Sequence, residues 1–212
     1  MPLICACPKS AALTAIPATT CLESFGATFR VAFQRLRDDS GNLNGFTIAT
    51  ANPNVLASWT AAKAQTDSTK IVIGPLIDNP VHEDAGRREY GGDTTTRNGV
   101  PITLGENPTP FSCDLLRLKQ DIIVALKALM CEEGDLGIYL FNGSGLIAGS
   151  ADDLASPTVV RPFEIQGFYQ GSKILGNFNT PDMNKMSWQF AENWSDTFHT
   201  VTPTDFNPLT QL

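Results

Sequence analysis

The chain is poor in the residues on which many catalytic and nucleic-acid-binding sites depend. Only two of its 212 residues are histidine, and 15 basic residues face 22 acidic ones, for a net charge of −7. No four or five basic residues stand together, which argues against tight wrapping around nucleic acid. No apolar run approaches the roughly 18 residues that a membrane-spanning helix needs, so the sequence predicts no membrane contact.

Catalytic motifs are missing as well. The glycine-rich stretch 142–149 lacks the Lys-Ser/Thr pair of a phosphate-binding loop, and neither a Gly-x-Ser-x-Gly nor a His-Glu-x-x-His pattern occurs. His82-Glu83-Asp84 is the one local cluster with acid–base or metal-binding potential, but it lies in a polar segment without rigid support. We therefore interpret it as a solvated charged loop and expect no catalytic residue, no metal and no cofactor.

Cysteine usage leaves two alternatives open. The five cysteines cannot all pair within one chain, and the start of the chain lacks the basic and apolar regions of a secretory signal, which favours reduced thiols in a cytoplasm. Three of the five could supply zinc thiolates, although a Cys-x-Cys spacing suits a tetrahedral site poorly. The alternative is free thiols that pack as small apolar groups. The three candidates are Cys5, Cys7 and Cys21.

What the chain has in quantity is turn residues and alternating apolar patterns. With 17 glycines and 14 prolines, the composition favours a turn-rich β protein over a helical bundle. Apolar residues alternate with polar ones at 29–33 and, most clearly, at 186–190, which predicts strands with one buried face. Asn142-Gly143 between two apolar runs predicts a β-hairpin.

Two segments have helical character. Apolar residues recur on one face at 117–132 and predict an amphipathic helix that flanks the β structure; they are Ile122, Ile123, Leu126, Leu129 and Met130. A shorter helix is predicted at 53–65, with Asn52 as its N-cap and Pro53 in its first turn.

The rest of the chain divides into a domain with irregular extensions. Residues 78–110 contain five glycines, four prolines, six acidic residues and three arginines, without a sustained apolar pattern. Such a long polar loop is uncommon inside a compact domain, and we expect it to reach outside it. We predict an extended N-terminal arm at 1–25, one β-rich domain at 26–202 that includes this loop, and an extended C-terminal tail at 203–212.

The order of these parts resembles that of tail tube and related structural proteins of tailed bacteriophages. Phe111-Ser112-Cys113-Asp114-Leu115, which runs into the helix at 121–130, resembles the strand-to-helix step of that group, and the stretches 181–190 and 193–198 resemble a C-terminal segment of virion proteins. The resemblance implies an antiparallel β-sandwich or barrel with a flanking helix. It also implies a non-enzymatic virion protein that is assembled in the host cytoplasm.

The same resemblance implies partners. Copies of the chain should close into rings, hexameric in that group, which stack into a tail tube with other virion proteins and let DNA pass without specific binding. We expect the loop 78–110 to form intersubunit contacts through its charged residues, namely Arg87, Arg88, Arg97, Glu83 and Asp84. Acidic residues in two turns, Asp38, Asp39, Asp152 and Asp153, are expected to face the channel and repel phosphates. The alternative for these aspartates is that they stabilise their own turns by hydrogen bonds.

Other classes stay open on the sequence alone. A capsid decoration, head–tail connector or baseplate protein fits the same features. A carbohydrate- or ligand-binding β-sandwich could use Trp59 or Trp194 as a platform, whereas Trp188 lies in an apolar strand pattern that is typical of a core.

Overall fold

The computed structural model describes residues 24–132 and 134–212. These residues form two compact units, the larger from residues 25–84 and 108–212 and the smaller including residues 85–107. The described residues include three α-helices: α1 (Leu56–Ala64), α2 (Gln120–Ala128) and α3 (Pro208–Gln211). The strands are β1 (Thr28–Arg35), β2 (Phe46–Thr47), β3 (Ile71–Leu76), β4 (Asp78–His82), β5 (Arg87–Tyr90), β6 (Ile102–Glu106), β7 (Thr109–Leu116), β8 (Leu136–Asn142), β9 (Ile147–Ala151), β10 (Val159–Arg161), β11 (Phe163–Gln170), β12 (Met183–Phe190) and β13 (Phe198–Val201).

The fold is mainly β and antiparallel, as predicted. In the larger unit one sheet runs in the order β2-β10-β9-β8-β11-β12-β7-β4, and β1 pairs with both β8 and β3 while β13 pairs with β9. This sheet folds over on itself, because inward side chains of β7, β11 and β12 share one apolar cluster with those of β1 and β8. The result is a β-sandwich-like arrangement with a flanking helix.

A second apolar layer lies behind β1 and β8. Tyr139 and Phe141 of β8 point away from the sandwich core and pack against Trp59 of α1. All seven residues of β8 are therefore buried. The prediction that β1 is buried on one face only is wrong, because this layer covers its second face and Val31 to Gln34 are all buried. Alternation in the sequence cannot reveal a second core when both faces of a strand carry apolar or small residues.

The predicted core strand and flanking helix are confirmed. Met186, Trp188 and Phe190 of β12 are buried in the cluster that also holds Leu126 of α2. Leu129 and Met130, in the short 3-10 turn after α2, pack against it from the side. The prediction that Ile122 belongs to the core is wrong, because its side chain lies on the exposed side of α2.

Three local predictions need correction. The helix predicted at 53–65 begins at Leu56 after Val55, and the Asn52 side chain accepts instead from the Asn54 N–H. The tail at 203–212 is not wholly extended, because Pro208–Gln211 forms one helical turn capped by Asn207, whose side chain accepts from the Leu209 N–H. The segment 78–110 is not a loop, since it contains β4, β5 and β6. The predicted arm at 1–25 falls almost wholly outside the described residues.

Candidate assembly surfaces

The segment predicted to form intersubunit contacts is a two-stranded hairpin. β5 pairs only with β6 among the described residues, and Tyr90 lies opposite Ile102. The Asn107 N–H donates to Gly86 O at 3.1 Å and closes its base. In the connecting turn Asp93 accepts from the backbone N–H and the hydroxyl of Thr95, and these hydrogen bonds lower the pKa of the Asp93 carboxyl. The hairpin thus has backbone and turn hydrogen bonds of its own.

One face of this hairpin is apolar and open to solvent. Residues opposite each other in an antiparallel pair, and residues two apart on one strand, point to the same side. Tyr90 and Ile102 therefore share a face, and each is 55% exposed; Leu104, at the irregularity in the pairing of β6 with Arg88 and Glu89, is 38% exposed. Val100, just before β6, is exposed as well. The predicted contacts were the charged residues of this segment, whereas the sequence signal for its apolar residues is the short alternation Ile102-Thr103-Leu104.

The five charged residues predicted as contacts occupy different surroundings. Arg87 forms an ion pair with Glu89 on its own strand, at 2.6 Å, so its charge is already compensated locally. Arg88 is on β5 of the hairpin, the Arg97 side chain is outside the described part, and Glu83 and Asp84 follow β4 in the larger unit. The Glu83 N–H donates to Pro110 O and extends the pairing of β4 with β7. Their contact role stays a prediction.

The four aspartates predicted to face a channel lie in turns. Asp38 accepts from the Asn42 amide and from the backbone N–H groups of Ser40 and Asn42, and these hydrogen bonds lower the pKa of its carboxyl. Asp152 accepts from the Thr158 hydroxyl and from the Thr158 and Val159 N–H groups, which lowers its pKa strongly.

The other two aspartates make fewer such contacts. Asp153 accepts from the Ala155 N–H, while Asp39 borders a groove beside β3 and its backbone N–H donates to the Ser68 hydroxyl. Three of the four carboxylates thus stabilise their own turns. Whether they also face a channel stays a prediction.

His82 is the last residue of β4, not part of a loop, and although it is exposed its ring lies against a group of aromatic rings. Its imidazole contacts Phe111, Phe190 and Trp194 with ring centroids 5.3–6.0 Å apart. Partial burial lowers the pKa of His82, which favours the neutral ring. No three His, Cys, Asp or Glu side chains come together as metal ligands within 24–132 and 134–212.

Two of the cysteines lie in the described part of the chain. Cys113 is buried and its pKa is raised to about 12 by that burial, whereas Cys131 is exposed; Cys5, Cys7 and Cys21 lie outside the described residues.

Trp59 is fully buried and its Nε1 donates to Pro53 O at 2.8 Å, so it cannot form an exposed sugar platform. Trp194 is half-buried and stacks on Phe190 at 4.3 Å.

The outer face of the sheet formed by β4, β7, β12 and β11 combines neutral polar side chains with Tyr169, Lys185 and Asp114, which lies opposite Asp78 as well. Ser112 lies opposite both Val81 and Ser187, and Gln189 lies opposite Gln166. Across this sheet only Lys185 and Asp114, which are directly opposite each other, bring charges of opposite sign into one pair. This face alternates with the buried residues of the same strands.

Comparison with protein-family models, with curated proteins and with solved structures gives no match. In the described part of the chain, no helix has the length and apolar character to cross a membrane. A proposal for the function therefore rests on the exposed surfaces of the described residues.

Proposed function

We propose that the protein is a virion structural subunit that assembles with copies of itself into rings, and that the rings stack into a phage tail tube through which DNA passes. The observation that carries this proposal is the solvent-exposed apolar surface of the β5–β6 hairpin, formed by Tyr90, Ile102 and Leu104. A capsid decoration, head–tail connector or baseplate role is the alternative within the same class.

The energetics of the hairpin support assembly. A two-stranded hairpin is marginally stable by itself in water. Fully burying a large apolar side chain contributes about 1.5–3 kcal/mol. Because Tyr90, Ile102 and Leu104 still expose about half of their surface, a neighbour that covers them would add roughly 3 kcal/mol. Association costs more than this in lost translational and rotational freedom, so the contact needs the added strength of ring closure, in which each copy is held at two places.

The charge of the chain and its open sheet face support passage of DNA without binding. A net charge of −7 disfavours retention of a polyanion. In a ring, the face with Ser112, Ser187 and Gln189 is a candidate channel lining, because Lys185, opposite Asp114, is the only lysine or arginine in β4, β7, β11 and β12. We place the channel on this face in preference to the turns that hold Asp38 and Asp152.

A hairpin deletion tests the proposal. Removing residues 87–106 and joining Gly86 to Asn107, whose backbone atoms are already hydrogen-bonded, should leave the larger unit folded and abolish rings in negative-stain electron microscopy. The deletion spares His82, which packs against the core. Rings formed by the deletion protein as readily as by the intact chain would contradict the proposal.

A substitution pair refines the test. Replacing Ile102 and Leu104 by serine removes apolar surface from the exposed face without shortening the hairpin. Thr103→Ser, on the opposite face, is the matched control. We expect the double variant to elute as a monomer in size-exclusion chromatography with light scattering, and the control to assemble like the intact chain.

The micrographs also separate the alternatives. Stacked rings favour the tail tube, whereas single rings that never stack favour a connector or baseplate component. A protein that remains monomeric yet binds glycans on an array would favour the carbohydrate-binding alternative.

A further inference from the structure

The turn between β11 and β12 displays large apolar side chains at its tip. Phe178 exposes 109% of its reference surface and Leu175 exposes 78%, while Ile174 is about half exposed. An aromatic ring that makes no packing contact with its own chain contributes nothing to folding. Such residues, when they are held rigidly, are typical anchors of protein interfaces.

The tip is held in one conformation by its own hydrogen bonds. Ile174 and Met183 exchange two backbone hydrogen bonds, of 2.7 and 3.0 Å, at its base. Asn177 Oδ1 accepts from the N–H groups of Asn179 and Thr180, and the Gly176 N–H donates to Asp182 Oδ1 at 2.8 Å. A preorganised anchor loses little conformational entropy when it binds.

A groove of complementary character lies elsewhere in the larger unit. It has a volume of about 450 Å³, and its floor is apolar: Phe33, Val72, Leu129 and Leu136. Its rim carries charges of both signs, namely Arg35, Asp39, Asp67, Lys70 and Glu132. Arg35 and Glu132 form an ion pair at 2.7 Å, so part of the rim charge is compensated.

The tip and the groove match in size and polarity. A cavity of about 150 Å³ lined by apolar side chains is large enough for a benzene ring. The groove therefore has room for the Phe178 ring together with the Leu175 side chain. Residues 174–181 contain no charged residue, so docking would add no charge beneath the rim. An apolar centre inside a polar rim is the usual composition of an interface.

We propose that the Phe178 tip of one copy docks into the groove of the next copy that is lined by Phe33, Val72 and Leu129. This inference rests on the proposed function and names the contact between neighbours in a ring. Because tip and groove are different surfaces, the contact is head-to-tail, which is the geometry that closes into rings or continues into filaments.

The buried area predicts how strong this contact is. Three apolar side chains fall short of the roughly 800 Å² per partner of a stable protein interface. A single tip–groove contact is therefore weak, and ring closure strengthens it, because each copy is then held at two places. Assembly should consequently depend steeply on protein concentration.

A mixing experiment tests the proposal. Phe178→Ser removes the tip anchor, and Val72→Glu places a charge on the groove floor at a side chain that is 42% exposed. Each variant alone should remain monomeric in light scattering. Mixed in equal amounts they should form no ring, and a dimer only at high protein concentration, because one intact tip meets one intact groove and that single contact is weak. Asn179→Ser, at the neighbouring tip position, should assemble like the intact chain.

Thermal melts by circular dichroism should show that both variants fold. A second groove variant, Thr66→Trp, fills the groove from an exposed rim position where folding is not at risk and should also block assembly. Rings formed by Phe178→Ser as readily as by the intact chain would overturn the tip–groove contact and leave the proposed function standing. An intact chain that never assembles would refute both.

Discussion

Trp188 offers the sharpest test of the core. It is 2% exposed, stacks on Phe111 with ring centroids 4.3 Å apart and meets Phe190 edge-on at 6.1 Å. Its Nε1 has no hydrogen-bond partner among the described residues, so truncation sacrifices packing and not a hydrogen bond. Replacing a buried tryptophan by alanine costs about 3–5 kcal/mol.

For a chain of this length, that loss corresponds to a decrease in melting temperature of roughly 6–20 °C. The assay is urea unfolding followed by tryptophan fluorescence and circular dichroism, at a concentration where the chain is monomeric. Tyr169→Ala is the matched control, because Tyr169 lies on the outer face of β11 and is half-exposed; it should change the free energy of unfolding by less than about 0.5 kcal/mol. A Trp188→Ala loss below 1 kcal/mol would refute the core described here.

Three further predictions concern single groups. The depressed pKa of His82 means that the unfolded chain binds its proton more readily, so stability should fall as the pH drops below about 6.5; His82→Phe should reduce this dependence in urea titrations at pH 5 and 7.5. Asp152→Ala should lower the urea midpoint more than Asp153→Ala, because Asp152 accepts three hydrogen bonds and Asp153 accepts one. In the native protein at pH 8, Cys131 should react with iodoacetamide and Cys113 should not, as read by peptide mass spectrometry.

Each of these has a contradicting result. An unchanged pH profile in His82→Phe would mean that the imidazole is solvated. Equal urea midpoints for the two aspartate variants would mean that the hydrogen bonds to Asp152 do not stabilise the folded chain. Rapid labelling of Cys113 under native conditions would mean that β7 is exposed.

Local patterns predicted the parts of the fold that local forces determine. The alternation at 186–190, the Asn142-Gly143 turn and, apart from Ile122, the apolar face of α2 are each specified within a few residues, and each is confirmed. At the turn, the Asn142 side chain accepts from the N–H groups of Ser144 and Leu146, which explains why asparagine suits that position.

Features that depend on distant pairing could not be predicted in this way. β5 and β6 are separated by an 11-residue turn and are short, so neither has a strong pattern of its own. The burial of both faces of β1 depends on α1, whose Trp59 covers the second layer. Phe178 resembles a core residue by its type, and only the tertiary structure places it at the tip of a turn.

Negative-stain electron microscopy of the purified intact chain, over a series of increasing protein concentrations, tests whether the chain assembles into rings. The proposal predicts rings with an open centre that stack into tubes as the concentration rises. A uniform population of single chains at every concentration would contradict it.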